Sequence, residues 1–187
     1  DFGALSLYIG LSVFIQVIAS FSLDGYVGVA YHELKNDPRR LKEKIGSLNG
    51  YMLAIGMIII ALTWSGGDFI VRHYIDHPKP ESFKYLLLSV CTGIFNAHFR
   101  FYGNLLIHRE KPNRYLWSNL LNFFTTVGFS IFILKRYPMS LEGPIWGRFL
   151  SCLCIFLWSF TDVTFKYGIS LRKKFLRATV AFCLPLL

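Results

Sequence analysis

The sequence has 187 residues, of which 53% are hydrophobic and 17% are charged, and its formal net charge is +9. A soluble globular domain carries about 25% charged residues, so the low charged fraction favours a membrane protein. The basic residues lie in several short connections between apolar stretches. This distribution excludes the basic face that a nucleic-acid-binding module presents to phosphates, so we predict no nucleic-acid partner.

Five apolar blocks follow one another along the chain, and each is long enough to cross a bilayer. They cover residues 4–31, 46–65, 84–107, 115–134 and 144–165, and a further apolar stretch starts at Leu176. A spanning helix needs about 20 mostly apolar residues, because its backbone must satisfy its own hydrogen bonds in hydrocarbon. We therefore predict an all-α polytopic bundle with five complete spans in residues 1–175 and the start of another in 176–187. Since the sequence lacks an initial Met and ends inside an apolar stretch, we expect a piece of a longer protein.

Lys and Arg are concentrated in alternate connections. The connections at residues 32–45, 108–114 and 166–177 are the basic ones, whereas the two between them carry fewer basic residues or balance them with acidic ones. Connections rich in Lys and Arg stay in the cytoplasm, so we predict these three as cytoplasmic. The first block then runs inward from the outer side.

Two opposite charges are predicted at a similar depth in the membrane. Asp24 follows a long apolar run in the first block, and Arg100 lies about 15 residues into the third block, which runs in the same direction. An ionised group inside a spanning helix costs at least about 2.5 kcal/mol, so it needs a partner or a wet cavity. Either the two residues form a structural ion pair, or Arg100 lies on a hydrophilic path where it meets a phosphate or an acidic sugar.

The fourth block carries a polar stripe at helical spacing. Its members are Tyr115, Ser118, Asn119, Asn122, Thr125 and Thr126. These side chains either hydrogen-bond to a neighbouring helix or line a cavity that binds sugar hydroxyls. Arg148, near the outer end of the fifth block, either extends to the membrane interface or faces the same path.

The remaining polar and cysteine residues predict structural roles. Asp162 and Lys166 lie one helical turn apart and predict an ion pair, and His98 predicts a core residue with hydrogen-bond partners. The four cysteines lie in apolar blocks without the spacing of a zinc site. No His-Glu-x-x-His or Gly-x-Ser-x-Gly motif is present, so we predict no catalytic residues, no cofactor and no metal.

Several short motifs, in order, resemble those of one transporter superfamily. They are Asp1-Phe2-Gly3-Ala4, Leu23-Asp24-Gly25, Ala30-Tyr31-His32, the segment from Arg109 to Tyr115, Gly143-Pro144-Ile145-Trp146-Gly147, Phe175-Leu176-Arg177 and Leu184-Pro185-Leu186. Over essentially the whole chain this pattern resembles the oligosaccharide flippases of the multidrug/oligosaccharidyl-lipid/polysaccharide exporter superfamily, the polysaccharide biosynthesis membrane proteins.

The resemblance implies a bacterial inner-membrane transporter that moves undecaprenyl-pyrophosphate-linked oligosaccharide outward by alternating access, for polysaccharide, O-antigen or capsule export. The chain would form most of the first of two helical lobes, with the second lobe and membrane lipids as its partners. The resemblance implies that Arg100 and Arg148 line the cavity, and Asn119, Asn122 and Asp24 complete the expected binding residues. A multidrug or cation exporter, which would use Asp24, and a membrane-bound glycosyl- or acyltransferase remain alternatives.

Overall fold

The computed structural model describes residues 2–20, 22–74, 82–136 and 142–171, and all regular structure in these ranges is helical. The helices are α1 (Phe2–Ser20), α2 (Leu23–Leu34), α3 (Pro38–Tyr74), α4 (Ser82–His108), α5 (Pro112–Arg136) and α6 (Glu142–Tyr167). The predicted all-α class is confirmed. The apolar stretch from Leu176 and the basic residues at 172–177 lie outside the described residues.

Among the described residues, four stretches are long and apolar enough to cross a membrane. They are Leu5–Leu34, Pro38–Gly67, Pro112–Arg136 and Gly143–Tyr167. The chain therefore has the character of a multi-pass membrane protein. α4 is not among the four, because Asn96, His98, Arg100 and Asn104 lower its mean hydropathy.

The centre of the bundle is α4, which packs against all five other described helices. Its buried side chains include Ala97, Phe101, Tyr102 and Leu105. α4 therefore carries polar residues in its middle turns and is in contact with every other described helix. This packing buries His98, where an unpaired polar group in hydrocarbon would cost several kcal/mol, whereas Arg100 remains more than half exposed.

α5 occupies the opposite extreme, at the edge of the bundle. Its side chains are all described, and Ser118 is the one that is fully buried. Phe123, Phe124 and Phe132 are each more than 60% exposed. An apolar face of this size is unfavourable in water, whereas lipid tails can cover it.

The first predicted block, residues 4–31, is not one helix in the structure but two. α1 ends at Ser20, and α2 starts at Leu23 after Ser22, whose backbone is left-handed with a φ of 56°. The Ser22 carbonyl accepts hydrogen bonds from the N–H groups of Gly25 and Tyr26, at 3.2 and 3.1 Å. The sequence has no glycine or proline at this position that would predict the break.

The second predicted block, 46–65, is too short at both ends, since α3 runs from Pro38 to Tyr74. Asp37 caps its first turn, because its Oδ1 accepts a hydrogen bond from the Arg40 N–H at 3.1 Å, and Pro38 takes the first helical position. The predicted basic connection 32–45 is therefore mostly helical. The turn that joins α2 to α3 is residues 35–37.

Left-handed residues also end α4 and α6. After α4, the Lys111 N–H donates to the Leu106 carbonyl at 3.0 Å while Glu110 has a φ of 56°. After α6, Gly168 has a φ of 75°, the usual use of glycine at a helix C-terminus. The chain then runs along α3, where the Ser170 N–H donates to the Gly46 carbonyl at 3.1 Å.

Glycines allow the closest backbone contacts. A β-carbon on Gly46 would lie 2.7 Å from the Tyr167 carbonyl oxygen, and one on Gly147 would lie 2.6 Å from the Ser130 Cα. The first contact brings the chain after α6 onto α3, and the second brings α6 onto α5. Small residues serve this purpose in membrane bundles generally.

Candidate functional site

An ion pair joins α2 and α4 in the interior of the bundle. The Arg100 Nε lies 2.7 Å from the Asp24 Oδ2. The Asn104 side chain donates to the Asp24 carbonyl at 3.1 Å and adds a second polar contact between the two helices. The structural ion pair considered from the sequence is therefore present.

The two partners differ sharply in exposure. The Asp24 side chain is 8% exposed, whereas that of Arg100 is 57% exposed. Asp24 lies in the first turn of α2, where the helix dipole favours a negative charge. The acidic partner is thus held inside the protein, and the basic partner is accessible.

Arg100 lines a polar cavity between α1, α4 and α5. The cavity has a volume of about 250 Å³ and is lined by Gln16, Asn96, Phe99, Arg100, Gly103, Asn104, Tyr115 and Asn119. Ligand pockets in proteins typically begin at about 300 Å³, so this cavity lies just below that range and has room for one small polar group. The lining combines one cation with four side-chain amides, which supply both hydrogen-bond donors and acceptors.

The structure divides the predicted polar stripe of α5 into two parts. Tyr115 and Asn119 line the Arg100 cavity, where the Asn119 amide nitrogen donates to its own helix at the Tyr115 carbonyl, 2.8 Å away. Three residues further along α5 face α6 instead. They are Asn122, Thr125 and Thr126.

Those three residues meet Ser151 of α6, which is fully buried. The Ser151 hydroxyl lies 2.7 Å from the Thr125 hydroxyl, 2.8 Å from the Thr126 hydroxyl and 3.3 Å from the Asn122 Oδ1. This is the interhelical hydrogen bonding that such residue types provide in membrane bundles. A substrate-binding role for Asn122 stays a prediction.

Arg148 lies apart from the Arg100 cavity. It lines a much smaller void of about 10 Å³, together with Tyr8, Ser12, Ser89 and Thr92 among others. That space accommodates about one water molecule. The structure therefore does not bring the two predicted arginines to one cavity, and a binding role for Arg148 also stays a prediction.

A buried polar network that the sequence did not predict joins α3, α4 and α6. The His98 Nε2 lies 3.0 Å from the Asn49 Oδ1, and the His98 Nδ1 lies 3.3 Å from the Ser159 hydroxyl. The amide oxygen can only accept a hydrogen bond, so Nε2 carries the hydrogen. The Asn49 amide nitrogen lies 3.5 Å from the Thr164 hydroxyl. His98 is therefore a core residue with partners, as predicted, while Asn49 and Ser159 could be found only from the fold.

The predicted pair of Asp162 and Lys166 is present and belongs to a larger group. The Asp162 Oδ1 also lies 3.9 Å from the Arg114 guanidinium, and its Oδ2 accepts a hydrogen bond from the Tyr102 hydroxyl at 3.4 Å. Among the described residues, no group of three or more His, Cys, Asp and Glu side chains could hold a metal ion.

Comparisons with known proteins add no relative to this picture. No family model matches the chain, and no curated protein or solved structure matches it.

Proposed function

We propose that the chain is part of a transporter that moves lipid-linked oligosaccharide, carried on undecaprenyl pyrophosphate, across the bacterial inner membrane by alternating access. The observation that carries the proposal is the Arg100 side chain, which is more than half exposed and lines a polar cavity between three helices. A cation at that position is costly, so a group that needs a cation explains its presence.

The pairing with Asp24 prepares Arg100 for an anionic ligand. A guanidinium has five N–H donors, and the contact with Asp24 uses Nε. The Nη groups can then bind a pyrophosphate or an acidic sugar in the bidentate manner that arginine favours. Asp24 fixes the guanidinium, so less side-chain entropy is lost when the ligand binds.

The amides of the cavity fit the sugar part of such a ligand. Gln16, Asn96, Asn104 and Asn119 come from three different helices and line one space. Sugar hydroxyls both donate and accept hydrogen bonds, and side-chain amides match both roles. The lipid tail would remain in the bilayer beside the exposed apolar face of α5.

The proposal includes a topology with five spans. α4 crosses the membrane in it, packed against the other described helices, with Arg100 facing the polar cavity. In the proposed topology, the basic connections at residues 32–45, 108–114 and 166–177 lie in the cytoplasm. The chain forms part of the first of two lobes, and the transport path runs between them.

A cation exporter is the alternative that one observation favours, since Asp24 is a buried carboxylate beside the cavity. The ion pair counts against it, because the charge that would hold a cation already binds Arg100. We prefer the anionic ligand because the accessible partner of the pair is the cation.

The test uses cells that need this protein for a surface polysaccharide. The informative variant is the double change Arg100→Ala and Asp24→Asn, because Arg100→Ala alone would leave a buried carboxylate without a partner. We expect loss of surface polysaccharide with normal abundance of the protein in the membrane. Arg100→Lys keeps the charge and should retain partial export, and Arg136→Gln, at the exposed end of α5, is the control and should export normally.

Two outcomes would reject the proposal. Normal polysaccharide from the double variant would remove Arg100 from the transport path. Unchanged polysaccharide in Asp24→Asn cells, together with lost tolerance to cationic drugs, would support the exporter instead.

A further inference from the structure

A group of cations lies where α4, α5 and α6 meet at one end of the bundle. The basic cluster consists of Arg109, Lys111, Arg114 and Lys166. Arg109 and Lys111 belong to the connection between α4 and α5, Arg114 lies in the first turn of α5, and Lys166 lies in the last turn of α6. Elements from three parts of the chain thus bring four positive charges together.

One carboxylate of the described residues contacts this cluster. Asp162 pairs with Lys166 and lies 3.9 Å from the Arg114 Nη1. Neither Arg109 nor Lys111 has an ion pair within the described part of the chain, and Glu110 beside them is exposed. The cluster is therefore left with an excess of positive charge.

The surroundings of the Arg109 guanidinium reflect this excess of positive charge. Its guanidinium lies 5.8 Å from the centre of the Tyr167 ring, a cation–π contact. Its Nη1 is buried and has no hydrogen-bond partner among the described residues. A buried N–H group without a partner costs about 1–3 kcal/mol, more when charged, so an anionic acceptor that reached Arg109 would stabilise it.

The neighbouring charges also act on Lys111. Repulsion from Arg109 and Arg114 holds the pKa of the Lys111 ammonium below its usual value. A group whose cationic form is disfavoured by its neighbours would be relieved by an anion placed among them. This agrees with the geometry, since Asp162 is the one carboxylate that pairs with the cluster among the described residues.

The position of the cluster selects the anion. Arg109 and Lys111 follow the end of α4, and Lys166 ends an apolar helix that can cross a membrane. The ends of such helices lie at the depth of the lipid headgroups, where the phosphate of an anionic lipid is abundant. We propose that the basic cluster is a binding site for the phosphate of an anionic phospholipid headgroup, which holds these ends of α4, α5 and α6 at the depth of the headgroups.

The experiment measures lipid bound to the purified protein by native mass spectrometry, with phosphatidylglycerol and phosphatidylcholine as probes. The test variant is Arg109→Gln with Lys111→Gln, which removes the two cations without an ion pair. The control is Arg39→Gln with Lys42→Gln, which removes two exposed cations from the start of α3. Each cation near an anionic surface contributes about fivefold, so the test variant, which lacks two, should bind phosphatidylglycerol about 25-fold more weakly.

Further arms keep the result interpretable. Lys111→Gln alone leaves the Arg109 contact with Tyr167 in place and should lose about fivefold, which guards against a folding defect in the double variant. The control and phosphatidylcholine binding should stay unchanged. Equal phosphatidylglycerol binding by the test variant and the unaltered protein, or an equal loss in the control, would overturn the proposal. Competition by inorganic phosphate at millimolar concentration would also overturn it, since it would identify a free-anion site.

Discussion

The unequal exposure of Asp24 and Arg100 makes a quantitative prediction about the free energy of unfolding. Asp24→Asn leaves a guanidinium that is already 57% exposed and can reach the polar cavity, so we expect a loss of about 1 kcal/mol. Arg100→Gln leaves a carboxylate that is 8% exposed and has lost its cation, so we expect a loss of about 3 kcal/mol. The order of the two single variants follows from burial alone.

The double variant tests whether the two residues act as a pair. With both charges removed, no buried ion remains, and we expect a loss near 2 kcal/mol, below the sum of the single losses. The difference is a coupling energy of about 2 kcal/mol, consistent with a short contact that is partly open to solvent.

The assay is reversible unfolding of the purified protein in mixed micelles, with sodium dodecyl sulfate as the denaturant and helix content as the signal. Unfolding must be two-state for all four proteins, so the slopes should agree. Losses that add to within about 0.5 kcal/mol would refute the pairing. A larger loss for Asp24→Asn than for Arg100→Gln would refute the assignment of Asp24 as the buried partner.

Three further predictions concern packing, a helix end and the buried network, each measured by the same unfolding assay. Gly147→Ala should cost about 1–3 kcal/mol because its β-carbon meets the backbone of α5, whereas Gly128→Ala, in open space on α5, should be neutral or slightly stabilising; equal effects would contradict the close contact. Glu110→Gly should stabilise by about 1 kcal/mol by relieving the left-handed backbone, and Glu110→Ala, which removes the same charge, should not; a gain with alanine would point to charge instead. His98→Leu should cost about 1–3 kcal/mol by stranding the Asn49 amide oxygen, and adding Asn49→Leu should recover part of it; no recovery would contradict the hydrogen bond.

The apolar blocks of the sequence predicted where the helices lie. The backbone of a long apolar segment has no water to bond in hydrocarbon, and a helix forms all of its backbone hydrogen bonds within the segment. The ends of the helices were predicted less accurately. The blocks missed the first turns of α3, which are too basic to read as apolar, although Asp37 followed by Pro38 is a recognisable helix start. The break at Ser22 has no comparable signal, since serine rarely adopts a left-handed backbone.

The ion pair at the candidate site could be anticipated because depth in the membrane can be counted along each block. Asp24 and Arg100 lie at similar counts, and two opposite charges at one depth have a strong reason to meet. The partner of a neutral polar residue has no such guide. Asn49, His98 and Ser159 come from three helices, and their mutual contact depends on how each helix is rotated, which periodicity alone does not determine.

The break between α1 and α2 also has a consequence for how the two helices contact lipid. A helix that stops and restarts at membrane depth frees backbone N–H and C=O groups, and hydrocarbon offers them no partner. This turn must therefore lie against protein or water, and Asp24, two residues beyond Ser22, is covered by the protein. The two helices accordingly present different surfaces: Asp24 of α2 is buried in the bundle, whereas Phe14 and Val17 of α1 are more than half exposed and available to lipid.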